Sequence, residues 1–217
     1  SDSYPFRTGD LQVFLSFLKE ALKRAKRRHQ HSYIPLIEMH IAKYERLKSG
    51  FNEAIRLFER AFARVEASGD PKLAASTTAL SHYFFFLKGH FKKLIDIYEK
   101  SVSDVQKVPI GDFPIFTTLM VGHCYAMVGQ VAQSLGMLDS IRNYCLENGG
   151  YYQAAQASAT IAMVMLSINR IEDALQYLKI SLKEANSSNN EWIKSLATLL
   201  LALVYYIHKE KRKSVQY

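Results

Sequence analysis

The chain has 217 residues, 48% of them apolar and 22% charged, and this balance excludes a disordered polar segment while leaving enough chain for a sizeable core. Ten glycines and five prolines are few for the length, which favours helix. The formal net charge of +8 sits in two stretches, "KEALKRAKRRH" (19–29) at +5 and "KEKRK" (209–213) at +3, so a basic stripe along the whole protein, the footprint of a nucleic-acid binder, is excluded.

In chain order, residues 9–28 read as an amphipathic helix carrying Gly9, Leu11, Phe14, Leu18 and Ala21. A second helix covers about 32–48, with Pro35 in its opening turn. "SGFNEAIRLFERAFARV" (49–65) places Phe51, Ala54, Ile55, Phe58, Ala61 and Phe62 on one side of a helix, with Arg56, Glu59, Arg60 and Arg64 facing water. Asp70 and Pro71 open a helix over 71–87, whose "HYFFFL" is aromatic but shows no convincing strand alternation. Further helices are expected up to about 106, over 113–128 behind Asp112 and Pro114, up to 147, over 150–168, and up to 187. The last spans about 190–208, behind the capping groups of "NSSNNEW".

The skeleton of "SGFNEAIRLFERAF" recurs in "KGHFKKLIDIYEKSV", "VGQVAQSLGMLDSI" and "INRIEDALQYLKISL". The equivalent positions Ala54, Leu94, Ser134 and Ala174 lie 40 residues apart each time, as do Phe58, Tyr98, Leu138 and Leu178. A fixed period of this size signals a solenoid of stacked helix hairpins, because one hairpin cannot hide its own apolar surface. The expected organisation is a half repeat at 9–28, repeats at about 32–67, 71–106, 113–147 and 150–187, and a final helix at about 190–208. That makes about ten helices in antiparallel hairpins. The chain starts in mid-repeat and ends on one of its most apolar helices, so it reads as a fragment of a larger multidomain protein. The apolar C-terminal helix is then expected either to lie under the basic tail or to form a concentration-dependent homodimer.

Gly122 and Tyr125 fit a G-x-x-Y element, and Ala54, Phe58 and Ala61 fit the small, aromatic, small pattern of a second helix. On these residues the chain resembles the tetratricopeptide repeat (TPR) family, with a period of 40 rather than roughly 34, no early Trp and no Pro closing the repeats. Longer hairpins of this kind resemble the sensor superhelix of MalT-type ATP-dependent transcriptional regulators, which lies between an NTPase module and a helix-turn-helix. The resemblance implies an all-α, right-handed α-solenoid. It also implies that the first helix of each hairpin lines a concave groove, chiefly with its second, fifth, ninth and twelfth positions. The ninth holds Lys43, Tyr83, His123, Met163 and Leu203, and the twelfth holds Arg46, Phe86, Ala126, Leu166 and Tyr206. The second holds Leu36, Ser76, Phe116, Gln156 and Leu196.

Lys43, Arg46, Tyr83, Phe86, His123 and Met163 are therefore the candidate ligand-binding residues. A groove cationic at one end and aromatic in the middle suits an apolar or aromatic ligand with an acidic group, or an amphipathic partner helix. The implied function is a non-enzymatic sensor or protein-interaction scaffold in a signalling ATPase or transcriptional regulator. A general TPR adaptor for a peptide or protein is the second reading, and a nucleic-acid-binding helical repeat the third.

No phosphate loop, HExxH zinc helix or GxSxG turn occurs, so no catalytic, metal or cofactor residues are assigned. His29 and His31 lack a third ligand. Cys124 follows His123, but adjacent helix positions point about 100° apart, which favours a core thiol. With Cys145 it reads as a free structural thiol in a reducing compartment. "LATLLLALVYYI" (196–207) is shorter than the roughly 20 residues of a membrane span, and no secretion signal opens the chain, so a cytoplasmic location is expected. The basic cluster at 23–28 has three readings: a solvated helix end, a dock for an acidic neighbouring domain, or a nucleic-acid contact.

Overall fold

A computed structural model describes residues 8–48, 50–104, 115–188 and 190–207. Among them the chain is all-α, as its periodicity predicts, and no strand occurs. The helices are α1 (Thr8–Arg27), α2 (Ile34–Lys48), α3 (Phe51–Ser68), α4 (Pro71–Leu87) and α5 (Phe91–Asp104), followed by α6 (Ile115–Met127), α7 (Val131–Glu147), α8 (Tyr151–Ser167), α9 (Ile171–Ser188) and α10 (Glu191–Ile207). A single 3-10 turn, His31–Tyr33, leads into α2, so the α-helix begins at Ile34 with Pro35 directly inside it. The predicted starts at Asp112 and Pro114, the end at 106 and the basic tail lie outside the described residues.

Local chemistry sets the helix ends. The carboxylate of Asp70 accepts the backbone N–H groups of Lys72 and Leu73, and the Asn190 side chain accepts those of Trp192 and Ile193. Between the later hairpin helices the chain turns through one left-handed residue, Gly89 at φ 71°, Gly129 at φ 86° and Asn169 at φ 59°. The three positions are 40 residues apart, and asparagine replaces glycine because its short side chain tolerates this backbone.

The chain divides into two compact units, residues 1–87 and 88–217. In the first, Leu15, Leu18 and Ile41 form a core with Leu11, Leu22, Ile37, Tyr44 and Leu57 packed against it. Of the apolar face expected on α3, Ala54, Phe58 and Ala61 are buried and Val65 extends it, whereas Phe51, the first residue of the helix, stays exposed because no element packs over its first turn. Phe58 stacks on Phe84 of α4 with centroids 4.4 Å apart and meets the edge of Phe85 at 5.6 Å.

In the second unit, Leu138, Ile141, Ile161, Ala174, Leu178 and Leu201 belong to one core that α7, α8, α9 and α10 share. At Gly122 an added Cβ would meet Leu138 Cδ2 at 2.7 Å, so glycine is what lets α6 approach α7 this closely. Tyr125, the other half of the G-x-x-Y element, is buried and donates its hydroxyl to Glu99 at 2.7 Å.

A polar ladder repeats with the hairpins. Arg64 of α3 pairs with Glu38 of α2, Glu184 of α9 accepts from Ser158 of α8, and the Ser181 hydroxyl donates to the Ala155 carbonyl, each across 26 residues. The same separation in two hairpins shows that α2–α3 and α8–α9 share one register.

Candidate functional site

In the first unit, α2 and α4 bring three of the predicted residues together. Lys43 and Arg46 lie one turn apart on α2, and both cations sit over the ring of Tyr83 on α4, at 5.9 Å and 5.7 Å from its centroid. Lys43 also lies 5.7 Å over the neighbouring Tyr44 ring. An ammonium and a guanidinium over an aromatic ring each gain from its negative quadrupole. Burial raises the Tyr83 phenol pKa while Arg46 opposes the shift, so the hydroxyl stays protonated near neutrality. Phe86 is half-buried one turn further along α4.

The other two predicted residues belong to the second unit. His123 on α6 and Met163 on α8 are both half-buried, and burial lowers the His123 pKa. Lys43, Tyr83, His123 and Met163 occupy one repeat slot and share one degree of exposure; Arg46, Phe86, Ala126 and Leu166 do the same in the next. Every residue of the second, ninth and twelfth slots is at least partly exposed, so none of them is closed core.

Sequence reasoning missed His40 and His82. His40 is half-buried one turn before Lys43, and burial and then the Lys43 charge lower its pKa. His82 is 1% exposed beside Tyr83, and burial takes its pKa down to about 4. A clue was present: the "SHYFFF" run puts the imidazole in an aromatic segment of a first helix. An unfolded chain takes up a proton on this side chain near pH 6.5 whereas the folded unit does so only near 4. The contribution of the neutral His82 to stability is therefore complete above about pH 6.5 and falls as pH drops towards 4, by about 3 kcal/mol at the lower end. Thermal melts from pH 7 to 4 are expected to show the decline, and His82→Gln is expected to flatten it.

A cavity of about 560 Å³ elsewhere in the first unit is lined by Lys26, His31, Ser32, Ile34, Arg64 and Asp70. Its two cations already face the Glu38 carboxylate, so it offers an incoming anion little unsatisfied charge. The Cys124 thiol is buried and pushed up to about 12, a core thiol rather than an activated nucleophile. The His29 and His31 rings lie 6.0 Å apart, and among the described residues no group of three His, Cys, Asp or Glu side chains gathers to hold a metal. No described helix is long and apolar enough to cross a membrane.

No family profile and no curated protein matches the sequence. Solved structures do match, and they define the class of fold as a TPR-like helical repeat. A signal transduction ATPase with numerous domains (STAND) from Pyrococcus horikoshii, carrying a tetratricopeptide repeat sensor, aligns with 94% of this chain at TM-score 0.67 and 15% identity. A Rap protein complexed with competence and sporulation factor aligns with 95% at TM-score 0.66 and 13% identity. BtubC from P. vanneervenii aligns with 95% at TM-score 0.65 and 13% identity. The chain spans 33% of the STAND protein, 63% of the Rap protein and 87% of BtubC.

Proposed function

We propose that the chain is a non-enzymatic TPR-like interaction scaffold whose first helices bind an acidic, apolar or aromatic ligand or peptide. It would serve as the sensor segment of a multidomain, cytoplasmic signalling ATPase or transcriptional regulator of the MalT-like kind. The observation that carries the reading is the pair of cations, Lys43 and Arg46, held over the half-exposed Tyr83 ring. Such a cluster offers positive charge to a carboxylate and a flat surface to an apolar side chain. The STAND neighbour's TPR sensor and the Rap neighbour's bound factor support it by analogy of fold. A general peptide adaptor is the second reading, favoured by the Rap complexes. The reading also makes the exposed face of α10 a contact surface for another copy.

Peptides with aromatic and acidic residues are expected to bind with an affinity that falls about tenfold in Lys43→Glu or Arg46→Glu and weakens with salt. Titration calorimetry checks this. Binding of such peptides unchanged by both substitutions would remove the site from the proposal.

A further inference from the structure

The C-terminal end of α1 holds more positive charge than the fold needs there. Lys19, Arg24 and Lys26 are paired with Glu45, Glu20 and Glu38, but no described residue pairs with Lys23, Arg27 or Arg28. Cations favour a helix C-terminus, yet the helices from α3 to α10 end with no basic residue in their last turns. Nor are the cations needed as caps. The backbone N–H groups of Arg28, His29 and Gln30 already bond to the carbonyls of Arg24, Lys26 and Ala25. Lys19, Lys23 and Arg27 occupy the slots of Glu59, Ala63 and Ala67 in α3 and of Asp139, Asn143 and Glu147 in α7. All of these are exposed, so this side is the outer surface of every such helix. His29 has φ 53° at the position where the turns after α3 and α7 have Gly69 at φ 61° and Gly149 at φ 72°. The fold thus keeps an imidazole where glycine would be unstrained.

We propose that this end of the first unit docks an acidic segment of a partner protein, with one large apolar side chain of that segment seated in the neighbouring cavity. Lys23 and Arg27 flank Lys26, which lines the cavity of about 560 Å³, and the His29 ring stands 6.0 Å from that of His31, another lining residue. The buried Ile34, Pro35 and Leu73 give the cavity an apolar lining, and its own cations are neutralised by Glu38. An uncharged side chain therefore suits the cavity, while carboxylates suit the free cations on its rim. A nucleic acid fits less well. Lys23 to Arg28 span about 8 Å along the helix, too short to track the phosphates of a duplex. The outer side of α3 carries the exposed carboxylates Glu53, Glu59 and Glu66, which would repel a polyanion. No Phe, Tyr or Trp lies between Lys19 and Ser32 to stack an unpaired base. The site shares no residue with the Lys43–Tyr83 cluster and does not rest on the groove reading.

The probe is a fluorescein-labelled peptide of glutamate and aspartate around a single leucine. Anisotropy on the 217-residue chain should show saturable binding that Lys23→Glu or Arg27→Glu weakens at least about tenfold. Lys179→Glu with Lys183→Glu reverses two exposed cations in the same outer slots of α9 and should cost less than about twofold. Serine in place of the peptide's leucine should weaken binding about tenfold. Ser32→Phe, which fills the cavity from its rim, should erase that difference. All of the substituted positions are exposed, and unchanged circular dichroism checks that the variants fold. Absence of binding overturns the proposal. Equal losses at α1 and α9 overturn it too, since net charge alone would then explain the binding, as does a leucine peptide that binds no better than the serine one. A mixed-sequence DNA duplex bound more tightly than either peptide at the same salt would mark a nucleic-acid surface instead. The peptide carries no aromatic residue, so Lys43→Glu should leave its binding unchanged, and failure here and failure of the groove reading are separate results.

Discussion

Glu184→Ala is expected to lower the stability of the second unit by about 3–5 kcal/mol, more than any single apolar truncation on its rim. Glu184 is nearly closed to solvent and receives two hydrogen bonds from Arg142, at 3.0 Å and 2.7 Å, plus one from the Ser158 hydroxyl at 2.7 Å. Three helices, α7, α8 and α9, meet at this carboxylate. Removing it leaves a guanidinium in a site that water barely reaches, and the cost is the unpaid desolvation of that cation rather than the loss of an attraction. The double replacement Arg142→Met with Glu184→Leu removes both charges and is expected to recover most of the loss. Urea unfolding followed by Trp192 fluorescence reads this unit directly, since Trp192 opens α10. A double variant as unstable as Glu184→Ala would show that the polar network itself, and not the orphaned charge, sets the stability.

Phe58→Ala is expected to cost the first unit about 3–5 kcal/mol, and Phe58→Leu about 1–2 kcal/mol. Phe58 is 1% exposed and stands at the centre of an aromatic group. It stacks on Phe84 at 4.4 Å and on Phe62 at 5.6 Å, and Phe85 meets both Phe58 and Phe62 edge-on. Truncation loses the transfer energy of a ring and opens a cavity that neighbouring rings, fixed on two helices, refill poorly. Leucine restores volume but not the stacking. Because Phe84 and Tyr83 are adjacent on α4 and their rings touch at 5.3 Å, the alanine variant is also expected to loosen the cation–aromatic cluster. Weaker peptide binding should therefore accompany it, whereas Glu184→Ala in the other unit should leave that binding unchanged.

The helices, their order and the 40-residue period were legible in the residues because amphipathic spacing, caps and left-handed turn residues act within a few positions of the chain. Phe51, Ala54, Phe58 and Ala61 announce one face, and Asp70 and Asn190 announce starts, whatever the rest of the chain does. The slots of Lys43, Arg46 and Tyr83 could be listed by counting. Their meeting over one ring could not, because it depends on how α2 and α4 cross and which rotamers the packing permits. Nor was the role of Arg142 and Glu184 visible, since two charged residues 42 apart carry no local pattern. Apolarity also failed to tell covered from bare. "LATLLLALVYYI" reads as core throughout, yet Leu201, Val204 and Tyr205 are buried while Leu199, Leu203 and Tyr206 are not. Composition determines that a helix needs partners; only the tertiary packing decides which of its sides has found one.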